Sequence, residues 1–144
     1  MKRDLSALFA CRDLRSYPLS AMHMIMGARL CILFGQAGRD PLPDLAVRLR
    51  SMNAARRVAQ LVQTIQQVWP EHFLIHRPCA MALSPDETLL GDLAVAAAAG
   101  DEETARLMMR DMLPEDISRL LFADALGAAS AIQAAQMQSQ RPAG

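Results

Sequence analysis

Apolar residues recur at helical spacing along most of this 144-residue chain, and no other feature constrains the fold as strongly. The rhythm is carried by Leu, Ala and Met: hydrophobic residues make up 52% of the sequence, aromatic ones 4%, and 10 residues are Met. Such side chains lose little rotamer freedom in a helix, while the Val and Ile that a sheet favours are scarce. The expectation is an all-α fold, a single-domain bundle of five to six helices over residues 1–144. A chain of this length can bury one core without disulfide or metal staples.

Boundary signals divide the rhythm. Residues 1–16 are charged and mixed, and read as a short helix or a loose arm. Ser16-Tyr17-Pro18 offers a capping hydroxyl and a proline for a helix from Leu19 to Phe34, ended by Gly35 and Gly38. Pro41 and Pro43 make a rigid turn. A second helix is expected from Asp44 to Trp69, with Arg50, Asn53, Arg57, Gln60, Thr64 and Gln67 on its solvated line. Pro70 ends it, and residues 70–83 carry no clear period. Ser84-Pro85-Asp86-Glu87 is a capping box with proline at the first helical position, the strongest local signal in the sequence. The third helix stops at Gly100, and Asp101 caps a fourth, whose short connection predicts an antiparallel hairpin. Leu113-Pro114-Glu115-Asp116 opens a fifth that buries Ile117, Leu120 and Leu121 and then a line of alanines. Residues 137–144 are expected to fray.

Cys11, Cys31 and Cys79 are odd in number and far apart, which fits free thiols in a reducing cytoplasm better than a disulfide framework. The N-terminal apolar run is cut at Arg12 and Asp13, so no signal peptide is expected. Met22–Gly35 is the most apolar stretch, but it is short for a bilayer and contains His23 and Arg29. A buried helix is expected there, and no membrane partner. The zero net charge conceals an asymmetry: residues 1–80 hold 11 basic and 5 acidic side chains, residues 81–144 hold 4 and 10. Such a dipole can steer an anionic partner, or join two complementary halves or subunits.

Three clusters could carry function. His72, His76 and Cys79 are metal-type residues, and a helix over 72–79 would set both imidazoles on one face with the thiol nearby. Pro78 argues against that helix, and the alternative is two partly exposed histidines beside a buried thiol. Arg48, Arg50, Arg56 and Arg57 form the densest basic group, suited to phosphates with Gln60, Gln63 and Gln67 beside them. No compact helix–turn–helix spacing surrounds them, so a solvated face is the competing reading. Met108, Met109 and Met112 on the fourth helix, and Ala128, Ala131 and Ala135 on the fifth, could form an adaptable or closely packed interface, or simply fill the core. No cofactor motif is present and no cofactor is expected.

The stretch Trp69-Pro70 through Phe73, followed by Pro78-Cys79-Ala80-Met81-Ala82-Leu83-Ser84-Pro85-Asp86-Glu87-Thr88-Leu89-Leu90, resembles a family of small uncharacterised all-helical bacterial proteins, over about a quarter of the chain. That family often has a second cysteine directly after the first, where Ala80 stands here. The resemblance implies a helical fold and carries no activity. The functional expectation is therefore a non-enzymatic protein-interaction or regulatory module acting as a homodimer. A nucleic-acid-binding regulator using the arginines and a metal-dependent enzyme using His72, His76 and Cys79 are the alternatives.

Overall fold

The structure, a computed structural model, describes residues 13–140. A short 3-10 turn at Leu14–Ser16 leads into six helices: α1 Leu19–Gln36, α2 Leu42–Leu49, α3 Met52–Val68, α4 Pro85–Ala98, α5 Glu102–Met109 and α6 Glu115–Ser139. The fold is all-α. Four helices, α1, α3, α6 and α4, pack in a ring, with α1 also meeting α6 across it; α2 closes over α3 and α1, and α5 over α4 and α6. Met24, Ile25, Leu61, Ile65, Leu90, Leu93, Met109, Leu121 and Ile132 lie at the centre. Two glycines permit close helix approach. A methyl at Gly27 would stand 2.5 Å from Val58 on α3, and one at Gly91 would stand 2.7 Å from the Tyr17 ring.

Several boundary signals act as their chemistry predicts. Ser84 accepts from the Glu87 N–H while the Glu87 carboxylate accepts from the Ser84 N–H, completing the capping box. Asp101 accepts from the Thr104 N–H and starts α5. Gly38 and Gly100 take positive φ just past the ends of α1 and α4.

Four expectations are corrected. The helix expected over Asp44–Trp69 is two helices. Arg50 adopts a left-handed conformation (φ 56°, ψ 33°), and Ser51 restarts the chain by accepting from the Ala54 N–H. The break lets Leu45 and Leu49 on one side, and Ala54, Ala55 and Val58 on the other, all reach the core. Thr64 is not solvated: it is buried and donates to Asp124 of α6 at 2.7 Å. Leu120 is not buried but 46% exposed. Ser16 does not cap α1, which begins after Pro18 without a side-chain cap; its hydroxyl donates to the Asp13 carbonyl instead. At the termini, residues 137–139 complete the last turn of α6, whereas the rest of the expected tail from 141, and residues 1–12 of the expected arm, lie outside the described residues.

α1 is long and apolar enough to cross a bilayer by length and composition. Here it is the central helix, with Met24, Ile25, Ala28 and Arg29 buried among its neighbours.

Candidate association surface

α6 is the longest helix and has two apolar sides. Pro114 precedes it, and Glu115 and Asp116 occupy its first turn, where carboxylates oppose the positive end of the helix dipole. Its inner side buries Leu121, Phe122, Ala125, Ala128, Ala129, Ile132 and Ala135. The small residues there let α3 approach, and Arg57 lies across Gly127. The outer side presents Leu120, Ala123, Leu126, Ser130, Gln133, Ala134 and Met137 to solvent, with Gly127 half-exposed at its margin. Between Leu120 and Ser139 the sequence holds one charged residue, Asp124, and its carboxylate accepts from Thr64 of α3. A solvated helix face normally carries charge. This one exposes Leu120 (46%), Leu126 (39%) and Met137 (68%) and contributes no charged residue of its own after Arg119, although the Arg57 guanidinium of α3 lies beside Gly127.

The expected interface residues fall elsewhere. Met109, Ala128, Ala131 and Ala135 are buried within the chain's own core, and Met108 and Met112 are half-buried against it. The three alanines share the helical phase of Leu121 and Ile132 on α6, so they face inward. The docking character of α6 lies on its opposite side, and the signal that could have found it was the charge-free run.

The basic residues stay on the surface but are redistributed. Arg48 is on α2, Arg50 forms the break, and Arg56 and Arg57 begin α3. All four are exposed, and none has an ion-pair partner among the described residues. The break ends the single helical face that Arg50 and Arg57 were expected to share.

The metal expectation is corrected too. Residues 72–77 run without helix and Pro78-Cys79 turn, so the shared face for His72 and His76 does not form. Both histidines and Cys79 are exposed, and among the described residues no three His, Cys, Asp or Glu side chains gather as a metal site would need.

The connector from Trp69 to Ser84 is instead organised by a cation that sequence reasoning weighed only as a cost in lipid. Arg29 and Glu87 are fully buried, with Arg29 Nε to Glu87 Oε2 at 2.6 Å and Nη2 to Oε1 at 3.2 Å. The guanidinium also donates to the carbonyls of Ala80 at 2.7 Å and Ala82 at 3.2 Å. Glu87 in turn accepts from the backbone N–H of Ser84 and of His76. Burial alone pushes the Glu87 carboxyl up. The hydrogen bond from Arg29, the two backbone donors and the guanidinium charge outweigh it, and the net result is a pKa below the usual carboxylate value. Nearby, Asp86 accepts from the Trp69 indole at 3.2 Å and from the Leu74 N–H at 2.8 Å.

Several clefts border these elements. One of about 760 Å³ lies between the end of α1 and the connector, lined by Ile32, Gln36, Gln66, Glu71, His72 and Phe73. A smaller one of about 260 Å³ between α1 and α2 is lined by Met22, His23, Met26, Leu45 and Arg48. Burial lowers the pKa of His23, which favours the neutral imidazole. Cys31 lies in the core, its thiol pushed up to about 11 by burial and by the Asp40 charge, whereas the free thiol of Cys79 is exposed. In comparisons with known proteins, no family model, no curated protein and no solved structure matches this chain.

Proposed function

We propose that this chain is a non-enzymatic association module that acts as a homodimer and docks through the outer side of α6. One observation carries the reading: a helix of 25 residues has a solvent-facing side on which no charge follows Arg119, and on which Leu120, Leu126 and Met137 are exposed. Interface centres are depleted in charged residues and enriched in Met relative to ordinary surface. The odd number and wide spacing of the cysteines support a reducing compartment, and a cytoplasmic module is the reading we adopt.

Light scattering coupled to size-exclusion chromatography tests this on the full chain. The expected result is twice the 15.8 kDa chain mass at high concentration, falling toward one on dilution. Leu126→Glu and Met137→Glu each add a charge at an exposed position, where folding is little affected. Each is expected to give a monomer with an unchanged circular dichroism spectrum. A parent chain that stays monomeric at high concentration overturns the proposal.

A further inference from the structure

The connector holds an alternation of period two. Residues 72–77 run without helix, turn or bend, and their burial alternates: Phe73 is buried and Ile75 half-buried, while His72, Leu74 and His76 are exposed. Their backbone bonding alternates in the same step. The Leu74 N–H donates to Asp86, the Leu74 carbonyl accepts from the Ser84 hydroxyl, and the His76 N–H donates to Glu87, so all three turn toward the start of α4. In an extended chain the N–H and C=O of one residue share an edge, and those of the next residue lie on the other. The N–H and C=O groups of Phe73 and Ile75 therefore face away from α4, and they have no hydrogen-bond partner among the described residues. The segment has one bonded edge and one open edge, and an open edge is a template for pairing with another chain.

Residues 73–75 also line the cleft of about 760 Å³. Across it stand Ile32 and Gln36 of α1 and Gln66 of α3. The carboxamides of Gln36 and Gln66 likewise have no hydrogen-bond partner among the described residues. Each offers donors and an acceptor side by side, as a peptide group does. Among the described residues that line this cleft, Glu71 alone is charged, and it has no ion-pair partner among them. The smaller clefts that share Glu71 add one further charge, the carboxylate of Asp86.

We propose that this cleft takes a short extended peptide of another protein, carrying a basic side chain, which adds as a strand to the open edge of residues 73–75. Its backbone exchanges hydrogen bonds with Phe73 and Ile75, its far edge meets the carboxamides of Gln36 and Gln66, and its cation lies at Glu71. In strand addition the main-chain bonds give affinity, and the side chains of alternate residues give selection. A small charged molecule matches this cleft less well, because the cleft presents paired donors and acceptors at a two-residue repeat and a single charge. The surface shares no residue with the outer side of α6, and the proposal does not depend on the dimer.

Backbone amide exchange followed by nuclear magnetic resonance on the full chain tests it. In the free protein the amides of Phe73 and Ile75 are expected to exchange faster than those of Leu74 and His76. Slow exchange there would mean that the edge is already covered, by the chain's own N-terminal residues or by a second copy, and overturns the proposal. The probe is the capped peptide Val-Lys-Val-Lys-Val, expected to bind saturably and to slow exchange at Phe73 and Ile75 several-fold. Of its two forms methylated on alternate backbone nitrogens, at least one is expected to lose binding. The counterpart with glutamate in place of lysine is expected to bind several-fold more weakly. Glu71→Gln, at an exposed position, should weaken the lysine peptide several-fold and leave exchange in the free protein unchanged. Absence of binding, or both methylated forms binding as well as the parent peptide, overturns strand addition. Equal binding of the lysine and glutamate peptides overturns the basic occupant.

Discussion

The connector between α3 and α4 and the seam between α3 and α6 are both well ordered, by opposite physical means. The seam is built from apolar stripes. α3 buries Val58, Leu61, Val62 and Ile65, and α6 buries Leu121, Ala125, Ala128 and Ile132, so order is shared among many small contacts. The connector has no regular structure over most of Trp69–Ser84 and buries little beyond Phe73 and Leu83. It is held by polar groups reaching out from α1 and α4: Arg29 on the carbonyls of Ala80 and Ala82, Glu87 on the His76 N–H, and Asp86 on Trp69 and Leu74. Distributed apolar packing tolerates the loss of one member better than a segment held by a few polar contacts, of which Arg29 supplies the most.

That contrast predicts the largest effect at Arg29. Arg29→Met keeps most of the side-chain volume but leaves Glu87 buried without its cation and the carbonyls of Ala80 and Ala82 without a donor. Breaking one partner of a buried ion pair costs about 3–5 kcal/mol, readable as a lower urea midpoint at pH 7. Limited proteolysis should then cut first within residues 69–84. Replacing both partners, as Arg29→Met with Glu87→Leu, is expected to recover much of the stability, since buried pairs often exchange for apolar residues at little net cost. The connector should nonetheless remain cleavable, because its carbonyls still lack the guanidinium. If the double variant is as protease-resistant as the parent, the connector is held by something other than Arg29, and the contrast fails.

A pH series sharpens the same point. The folded Glu87 pKa lies below its unfolded value, so its contribution is fully present above the unfolded pKa, roughly 4.3, and is lost as pH falls through the folded pKa. Urea stability is therefore expected to hold between neutral pH and about pH 5 and then to fall toward lower pH. In Glu87→Gln that acid decline should be visibly shallower. The other carboxylates with lowered pKa among the described residues, Asp13 through its hydrogen bonds to Arg15 and Asp101 through those to Thr104, titrate alike in both proteins. An identical acid limb in parent and variant would remove Glu87 from the role assigned to it.

The two regions also differ in how far the sequence exposes them. Helix starts at Ser84 and Asp101 were legible because a cap is a local event, written within four residues. The inner and outer sides of α6 were not separable by composition, since both are apolar. Only the phase of Leu121, Phe122 and Ile132 decides which side turns inward, and the docking side was first assigned to Ala128, Ala131 and Ala135 for that reason. The break at Arg50 was hidden because the apolar spacing resumes in step after Ser51, and a left-handed arginine leaves no compositional trace. Arg29 and Glu87 stand 58 residues apart, and Thr64 and Asp124 stand 60 apart. Polar pairs at such separations have no period, so a chain read by period sees only an arginine in an apolar run and a threonine on a polar line.

Ser84 joins the connector to α4, and its removal should cost less than that of Arg29. Its oxygen accepts from the Glu87 N–H at 3.0 Å and donates to the Leu74 carbonyl at 2.6 Å. Ser84→Ala removes a cap together with a link to the connector, an expected loss of about 1–2 kcal/mol. Urea titration measures it. A loss under a few tenths of a kcal/mol would mean that Pro85 and the Glu87 side chain suffice to start the helix.

The smallest effect is expected where a polar bond sits inside the apolar seam. Thr64 donates to Asp124 across α3 and α6, and Thr64→Val removes that bond at nearly constant volume. Asp124 is only half-buried, so its carboxylate can turn to water once the hydroxyl is gone, and the added methyl gains some apolar burial. The net loss should be about 1 kcal/mol or less. A cycle combining Thr64→Val with Asp124→Ala should give a coupling energy of similar size. If Thr64→Val alone costs as much as Arg29→Met, the seam too is held mainly by polar contact. Its order would then not come from shared apolar packing, and the distinction drawn between the two regions would collapse.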